Sequence, residues 1–192
     1  MSISYRCMSD TARLLEAAGF AADKHRDQRR KDVGATPYIN HPLDVARILA
    51  EAGVEDIEML MAAILHDTIE DTNTTAEELI ERFCERVCGL VLEVTDDKSL
   101  PKLERKRVQV LKAPTKSAEA KQIKLADKIA NLRDMKTPPV GWSEARVGAY
   151  IQFAEMVAGG CEGVNPALDA EFAKACYALA SGSTRSARMA EV

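Results

Sequence analysis

The stretch "EDIEMLMAAILHDTIEDTNTT", residues 55–75, runs from an apolar segment straight into His66-Asp67 and then adds Glu70 and Asp71. Its apolar part, Met59 to Leu65, is hydrophobic nearly all round, which predicts a central helix buried on every side. A charge at the end of such a helix is costly unless it is paired or bound to a cation. Either the helix surfaces here or something positive waits for it.

Outward from this point the chain reads almost everywhere at helical period. "DTARLLEAAGFAADKHRDQ" (10–28) places Ala12, Leu15, Ala18 and Ala22 on one stripe, with Leu14 and Phe20 at its margins and Asp10 as N-cap. His25 falls on the polar face of that helix and reads as a surface residue. "RRKDVGATPYINHP" (29–42) is a loop, and "LDVARILAEAG" (43–53) a second helix stopped by Gly53. "TTAEELIERFCERVCGLVLEVTDD" (74–97) opens with a capping box and carries one or two helices. "LPKLERKRVQVLKA" (100–113) is a basic amphipathic helix opened by Pro101, and "SAEAKQIKLADKIANLRDM" (117–135) can run until Pro138-Pro139 forbids continuation. "GWSEARVGAYIQFAEMVAGG" (141–160) and "NPALDAEFAKACYALASG" (165–182) are two further helices, with Ser143 and Asn165 as caps. Strand alternation, repeats and low-complexity blocks are missing. The reading is a single all-α domain over residues 1–192, a bundle of about eight or more helices with its core at 10–180 and a frayed tail at 183–192.

The totals narrow the function. A chain of 192 residues with 46% apolar and 29% charged residues suits one soluble domain. The net charge of −4 gives no overall attraction to nucleic acid or anionic membrane, so an anion site must be a local basic patch. No apolar run approaches the roughly 20 residues that span a bilayer, and the first residues lack the pattern of a signal peptide. Five cysteines at irregular spacing, Cys84 and Cys88 being one helical turn apart, read as thiols in a reducing compartment. A cytoplasmic location is expected.

His41 sits just before the proline that starts the second helix, and His66 ends the apolar one with Asp67 beside it. Adjacent helical residues point roughly 100° apart, so His66 and Asp67 can face one ion only if the helix ends or distorts there. "DTNTT" supplies the turn and cap residues for that. Asp127 lies between apolar residues on a lysine-rich helix, with Asn131 four residues on along the same face. His41, His66, Asp67 and Asp127 together offer two imidazoles and two carboxylates. Mixed nitrogen and oxygen donors without thiolate suit Mn²⁺ or Fe²⁺, with Zn²⁺ and Mg²⁺ less favoured.

"TPYINHP", "AAILHDTIEDTNTT", "EVTDDKSLPKLERKR", "KLADKIANLRDM" and "GWSEAR" occur in order. On them the chain resembles the HD superfamily, and more closely the hydrolase module of the RelA/SpoT alarmone enzymes in its small, stand-alone metazoan form. The resemblance covers residues 10–180 and implies an all-α fold that binds Mn²⁺ and removes the 3′-pyrophosphate of ppGpp or pppGpp. It implies His41, His66, Asp67 and Asp127 as metal ligands, Glu70 and Asp71 as acid/base groups, and Asn131 near the reacting phosphate. If the helix continues past His66, Glu70 shares its side and Asp71 that of Asp67.

An acidic protein needs a focused cationic pocket for so anionic a nucleotide. "RRK" (29–31), "KLERKR" (102–107) and Arg146 are the basic clusters available. The resemblance selects Arg30, Lys31, Lys102, Arg146 and Tyr150 as substrate contacts, and Trp142 reads as a core anchor. It also implies hydrolysis alone, since no synthetase domain is present. A second reading keeps the site but turns it on NADPH as a 2′-phosphatase. A third, from another class, is a non-catalytic nucleotide-binding module. Residues 159–192 carry no motif and receive no chemistry, and the oligomeric state is open.

Overall fold

The computed structural model describes residues 8–189, with side chains to residue 180. Among these residues the chain forms ten α-helices and one 3₁₀ turn. They are α1 (Asp10–Lys24), α2 (Asn40–Glu51), α3 (Ile57–Leu65), α4 (Thr68–Asp71), α5 (Ala76–Arg82), α6 (Glu85–Val94), α7 (Lys102–Lys112), the turn Ala113–Thr115, α8 (Ala118–Asp134), α9 (Glu144–Gly159) and α10 (Pro166–Met189). Residues 74–97 take the two-helix option as α5 and α6, and the short α4 is added where the apolar helix breaks at His66-Asp67. Extended pairing among the described residues is limited to an isolated bridge between Arg29 and Pro37, which closes the loop before α2.

α3 is central, as its composition predicts. Met59, Met61, Ala62, Ala63, Ile64 and Leu65 are buried, and the helix packs on α1, α2 and α6. α8 is the second axis, packed on α2, α6, α9 and α10. Its polar content misleads at first sight, because Lys124, Asp127 and Lys128 are buried along with Ile123, Leu125 and Ile129. One apolar core runs through these contacts.

Several local readings shift. In α1 the buried stripe is Ala17, Phe20 and Ala21, while Leu15 is 67% exposed. The same face continues to His25, which is buried and not on the surface as expected. Ser9, not Asp10, caps α1: its Oγ accepts from the Ala12 amide at 3.2 Å. Ser117, Ser143 and Asn165 cap α8, α9 and α10, and Thr75 caps α5. Gly53, at φ 86°, terminates α2 in the left-handed region that a side chain would resist. α8 stops at Asp134, short of the prolines. The tail expected to fray after Gly182 continues as α10 to Met189, and residues 190–192 lie outside the described residues. Cys84, Cys88, Cys161 and Cys176 are free thiols, and Cys7 lies outside the described residues.

Candidate active site

The break after α3 creates the site. His66 closes α3 at φ −57°, ψ −31°, and Asp67 precedes α4 at φ −98°, ψ −3°. Thr68 Oγ1 donates to the Leu65 carbonyl at 2.7 Å, occupying an acceptor that the ended helix leaves open. This corner turns His66 and Asp67 toward each other, with Asp67 Oδ2 3.0 Å from His66 Nε2. His41, in the first turn of α2, brings Nε2 to 3.2 Å from Asp127 Oδ1 and 3.9 Å from Asp67 Oδ2. Donor atoms of His41, His66 and Asp127 all lie within 4.8 Å of one another, and all three residues are buried.

Hydrogen bonds aim this group. His66 Nδ1–H donates to the Ala63 carbonyl at 2.8 Å, which directs Nε2 inward as the atom a metal would take. That Nε2 is buried and has no hydrogen-bond partner. Tyr38 donates its hydroxyl to Asp67 Oδ2 at 2.6 Å and lies 3.4 Å from Asp71 Oδ2. Asp127 accepts from Asn131 Nδ2 at 2.5 Å on one oxygen and from Lys128 Nζ at 2.9 Å on the other. A buried, orphaned imidazole nitrogen beside two carboxylates fits a divalent cation in charge and in donor type.

The electrostatics agree. Burial alone would lower the His66 pKa, yet the Asp67 and Asp127 charges outweigh it and push it up to about 9. Burial works to raise Asp67, but His66 beside it holds the carboxyl well below its ordinary range. Asp127 is held low against the same burial by Lys128 and His41. The two carboxylates thus favour positive charge among them, which a bound cation would supply in place of the His66 proton.

Glu70 and Asp71 do not continue the α3 face as the uninterrupted-helix reading requires. They belong to the separate α4 and diverge. Glu70 Oε2 accepts from the Asp96 amide at 3.0 Å, while Asp71 Oδ1 pairs with Lys98 Nζ. Burial raises the Glu70 carboxyl, helped by the charges of Asp96, Asp67 and Asp71.

The basic residues fall into two groups. Arg30 donates to Asn131 Oδ1 at 3.1 Å, pairs with Asp134 and lies 5.8 Å from the Tyr38 ring centre. It lines a cavity of about 310 Å³ beside His41, whose wall also carries the carboxylates of Asp32, Asp44 and Asp134. On the other side, Lys106 feels the charges of Lys102, Lys128 and Arg146, which together with burial lower its pKa. Lys106 Nζ lies 4.4 Å from the Phe153 ring centre and 5.7 Å from that of Tyr150. Tyr150 is pushed up to about 12, first by burial, and feels Lys128, Asp127 and Arg30. Lys31 is exposed and no hydrogen bond or ion pair joins it to the centre. Trp142 is not the expected core anchor: it is half-buried, under the Arg146 guanidinium at 4.2 Å and edge-on to Tyr150 at 6.1 Å.

Sequence reasoning missed Tyr38, Lys106, Lys128 and Asp96. Tyr38 stands three residues before His41 and Lys128 directly after Asp127, so spacing offered a weak signal for both. His25 was missed too. Its Nδ1 meets Gln28 Oε1 at 2.7 Å, and Gln28 Nε2 donates to the Asp71 carbonyl at 2.6 Å.

The pattern of the HD domain matches residues 17–149. The guanosine-3′,5′-bis(diphosphate) 3′-pyrophosphohydrolase MESH1 of Homo sapiens is 59% identical over 163 residues, 84% of this chain and 91% of that protein. The protein of the same description from Drosophila melanogaster is 48% identical over 161 residues, 83% of this chain and 90% of that protein. A solved structure, described as a metazoan orthologue of SpoT that hydrolyses ppGpp and plays a role in starvation responses, superimposes with a TM-score of 0.85 at 46% identity. The match covers 88% of this chain and 96% of that one.

Proposed function

This chain belongs to the HD-domain family, and from that premise we propose that it is a metal-dependent guanosine-3′,5′-bis(diphosphate) 3′-pyrophosphohydrolase. It converts ppGpp and water to GDP and pyrophosphate, and pppGpp to GTP and pyrophosphate. The observation that carries the reading is the buried meeting of His41, His66 and Asp127, with Asp67 at 3.0 Å from His66.

His41, His66, Asp67 and Asp127 would hold the cation, which we take to be Mn²⁺ from the mixed nitrogen and oxygen donors. When bound it supplies a Lewis acid and makes a nearby water more acidic than bulk. The chain's own residues do the rest. Glu70, its carboxyl raised by burial, exchanges a proton with the attacking water and the leaving oxygen. Asp71, beside the Tyr38 hydroxyl, is the second acid/base group. Asn131 joins Asp127 to Arg30 and so couples the metal group to the nucleotide pocket. Lys102, Lys106 and Arg146 face the pyrophosphate charge, and Tyr150 offers its ring and hydroxyl. The cavity beside His41, with Arg30 at its wall, accommodates the nucleoside. Among the described residues no helix is long and apolar enough to cross a membrane.

The test is a product assay. Purified chain loaded with Mn²⁺ should release GDP and pyrophosphate from ppGpp, and the chelated chain should not. Intact ppGpp in a sample shown to contain the metal would overturn the proposal. NADPH run beside ppGpp on one preparation compares the two substrates by kcat/KM.

A further inference from the structure

We infer that Asp96 is a positioning residue for Glu70: its peptide N–H fixes the carboxyl group, and its own side chain, clamped by Gln109 and Lys124, sets the charge that group faces. The inference rests on the proposed role of Glu70 and adds what orients it.

Asp96 follows the last turn of α6, where Thr95 has already left the helix at φ −69°, ψ 136°. Its amide is therefore outside the α6 hydrogen-bond ladder and donates to Glu70 Oε2 at 3.0 Å. The other oxygen, Oε1, has Arg105 Nη1 at 3.9 Å, an ion-pair distance and too long for a hydrogen bond. One oxygen is thus tied down and the other presented.

The Asp96 side chain is held from two neighbouring helices. Gln109 on α7 donates to its Oδ2, and Lys124 on α8 places Nζ 3.8 Å from its Oδ1. Gln109 is 8% exposed and Lys124 7%, and Gln109 Oε1 is buried without a partner. An unsatisfied amide oxygen and a buried ammonium both cost stability, and apolar residues of similar volume would not. Two helices thus commit buried polar groups to a single carboxylate, whose peptide N–H touches Glu70. The charged groups around Glu70 are Asp67 and Asp71 on its own side, Asp96 beyond α6 and Arg105 on α7, with Lys124 behind Asp96. After burial, the Asp96 amide draws the Glu70 carboxyl down and the Asp96 charge, ahead of those of Asp67 and Asp71, pushes it up.

The experiment is the titration of Glu70 in two variants. Carbon-13 spectra of the metal-free chain, with the Glu70 carboxyl identified by its loss in Glu70→Gln, report its ionisation directly. Asp96→Asn keeps the peptide N–H and the shape but removes the charge. It should lower the Glu70 midpoint by roughly half a pH unit or more. The limb of the kcat profile for ppGpp that Glu70 governs should move the same way, with KM within about twofold. Lys124→Met should move the midpoint upward, and it takes over as the test if Asp96→Asn loses its helical circular dichroism. A Glu70 midpoint unmoved in a folded variant overturns the inference. Lack of ppGpp turnover in the wild-type chain would strike the proposed function alone, because the spectroscopic titration does not depend on it.

Discussion

Asp127 Oδ1 on α8 stands 3.2 Å from His41 Nε2 in the first turn of α2, and its other oxygen lies 2.9 Å from Lys128 Nζ. One carboxylate therefore serves a buried cationic side chain and the candidate metal centre together. This double duty joins at Asp127 two effects that mutation at Asp67 separates.

Asp127→Ala should lose both. Bound Mn²⁺, measured by elemental analysis, should disappear, and kcat should fall by about three orders of magnitude or more. Lys128 would be left buried without its partner, so the variant should also be destabilised by about 3–5 kcal/mol in denaturant unfolding of the metal-free chain. Asp67 has no such buried lysine, so Asp67→Ala should lose the metal with the smaller loss of metal-free stability.

Tyr38→Phe deletes only the hydroxyl that donates to Asp67 Oδ2 at 2.6 Å. Orienting bonds of this kind are worth roughly 10–100-fold in metal affinity or activity. Metal titration should show weakened binding in that range with helix content unchanged. Equal affinity would mean that Asp67 is fixed by the backbone corner alone.

Glu70 gives a pH-dependent prediction whose sign follows from burial. Its folded pKa is raised, so the folded state favours the protonated form. The associated stability is fully present below the ordinary glutamate value and is lost as pH rises through the raised folded value. Glu70→Gln should accordingly raise Tm at neutral pH and leave it unchanged in acid, while abolishing turnover. Thermal scans of the metal-free proteins across that range check it.

Lys106 lies among Lys102, Lys128 and Arg146, and its ammonium is 4.4 Å from the Phe153 ring centre. Lys106→Met keeps the apolar stem and removes the charge. KM for ppGpp should rise by about tenfold at low salt and less at high salt, with kcat nearly unchanged. Steady-state kinetics at two ionic strengths decide the point.

Gly160 is a packing requirement away from the site. A Cβ there would meet Ala113 Cβ at 2.7 Å and Pro114 Cδ at 2.9 Å. Gly160→Ala should destabilise by about 1–3 kcal/mol, because that contact involves a short side chain and a ring that cannot swing aside. The activity of the folded fraction should be unaffected.

Much of this molecule is legible in its local patterns. Apolar spacing of 3.6 residues announces the helices, Ser143 and Asn165 announce two of their starts, and the helix that runs from "MLMAAIL" into His-Asp must end or distort if both side chains are to face one ion. The ligand chemistry is legible as well, since it depends on residue type. What local pattern could not deliver is phase and distance. His25 looked polar because its own helix carries charges around it, yet the loop before α2 covers it, with the Tyr38 ring centre 4.9 Å away and Gln28 Oε1 at its Nδ1. Trp142 looked like core because large aromatics usually are, but it supports Arg146 instead.

By itself the sequence determined which segments coil and which side chains can bind a cation or carry a proton, because those properties belong to a residue and its near neighbours. Only the tertiary structure decided that His41 meets Asp127, that Glu70 and Asp71 part company, and that Asp96 reaches Glu70. Such meetings depend on how α2, α3, α7 and α8 pack across the core, and packing is set by the joint burial of surfaces far apart along the chain.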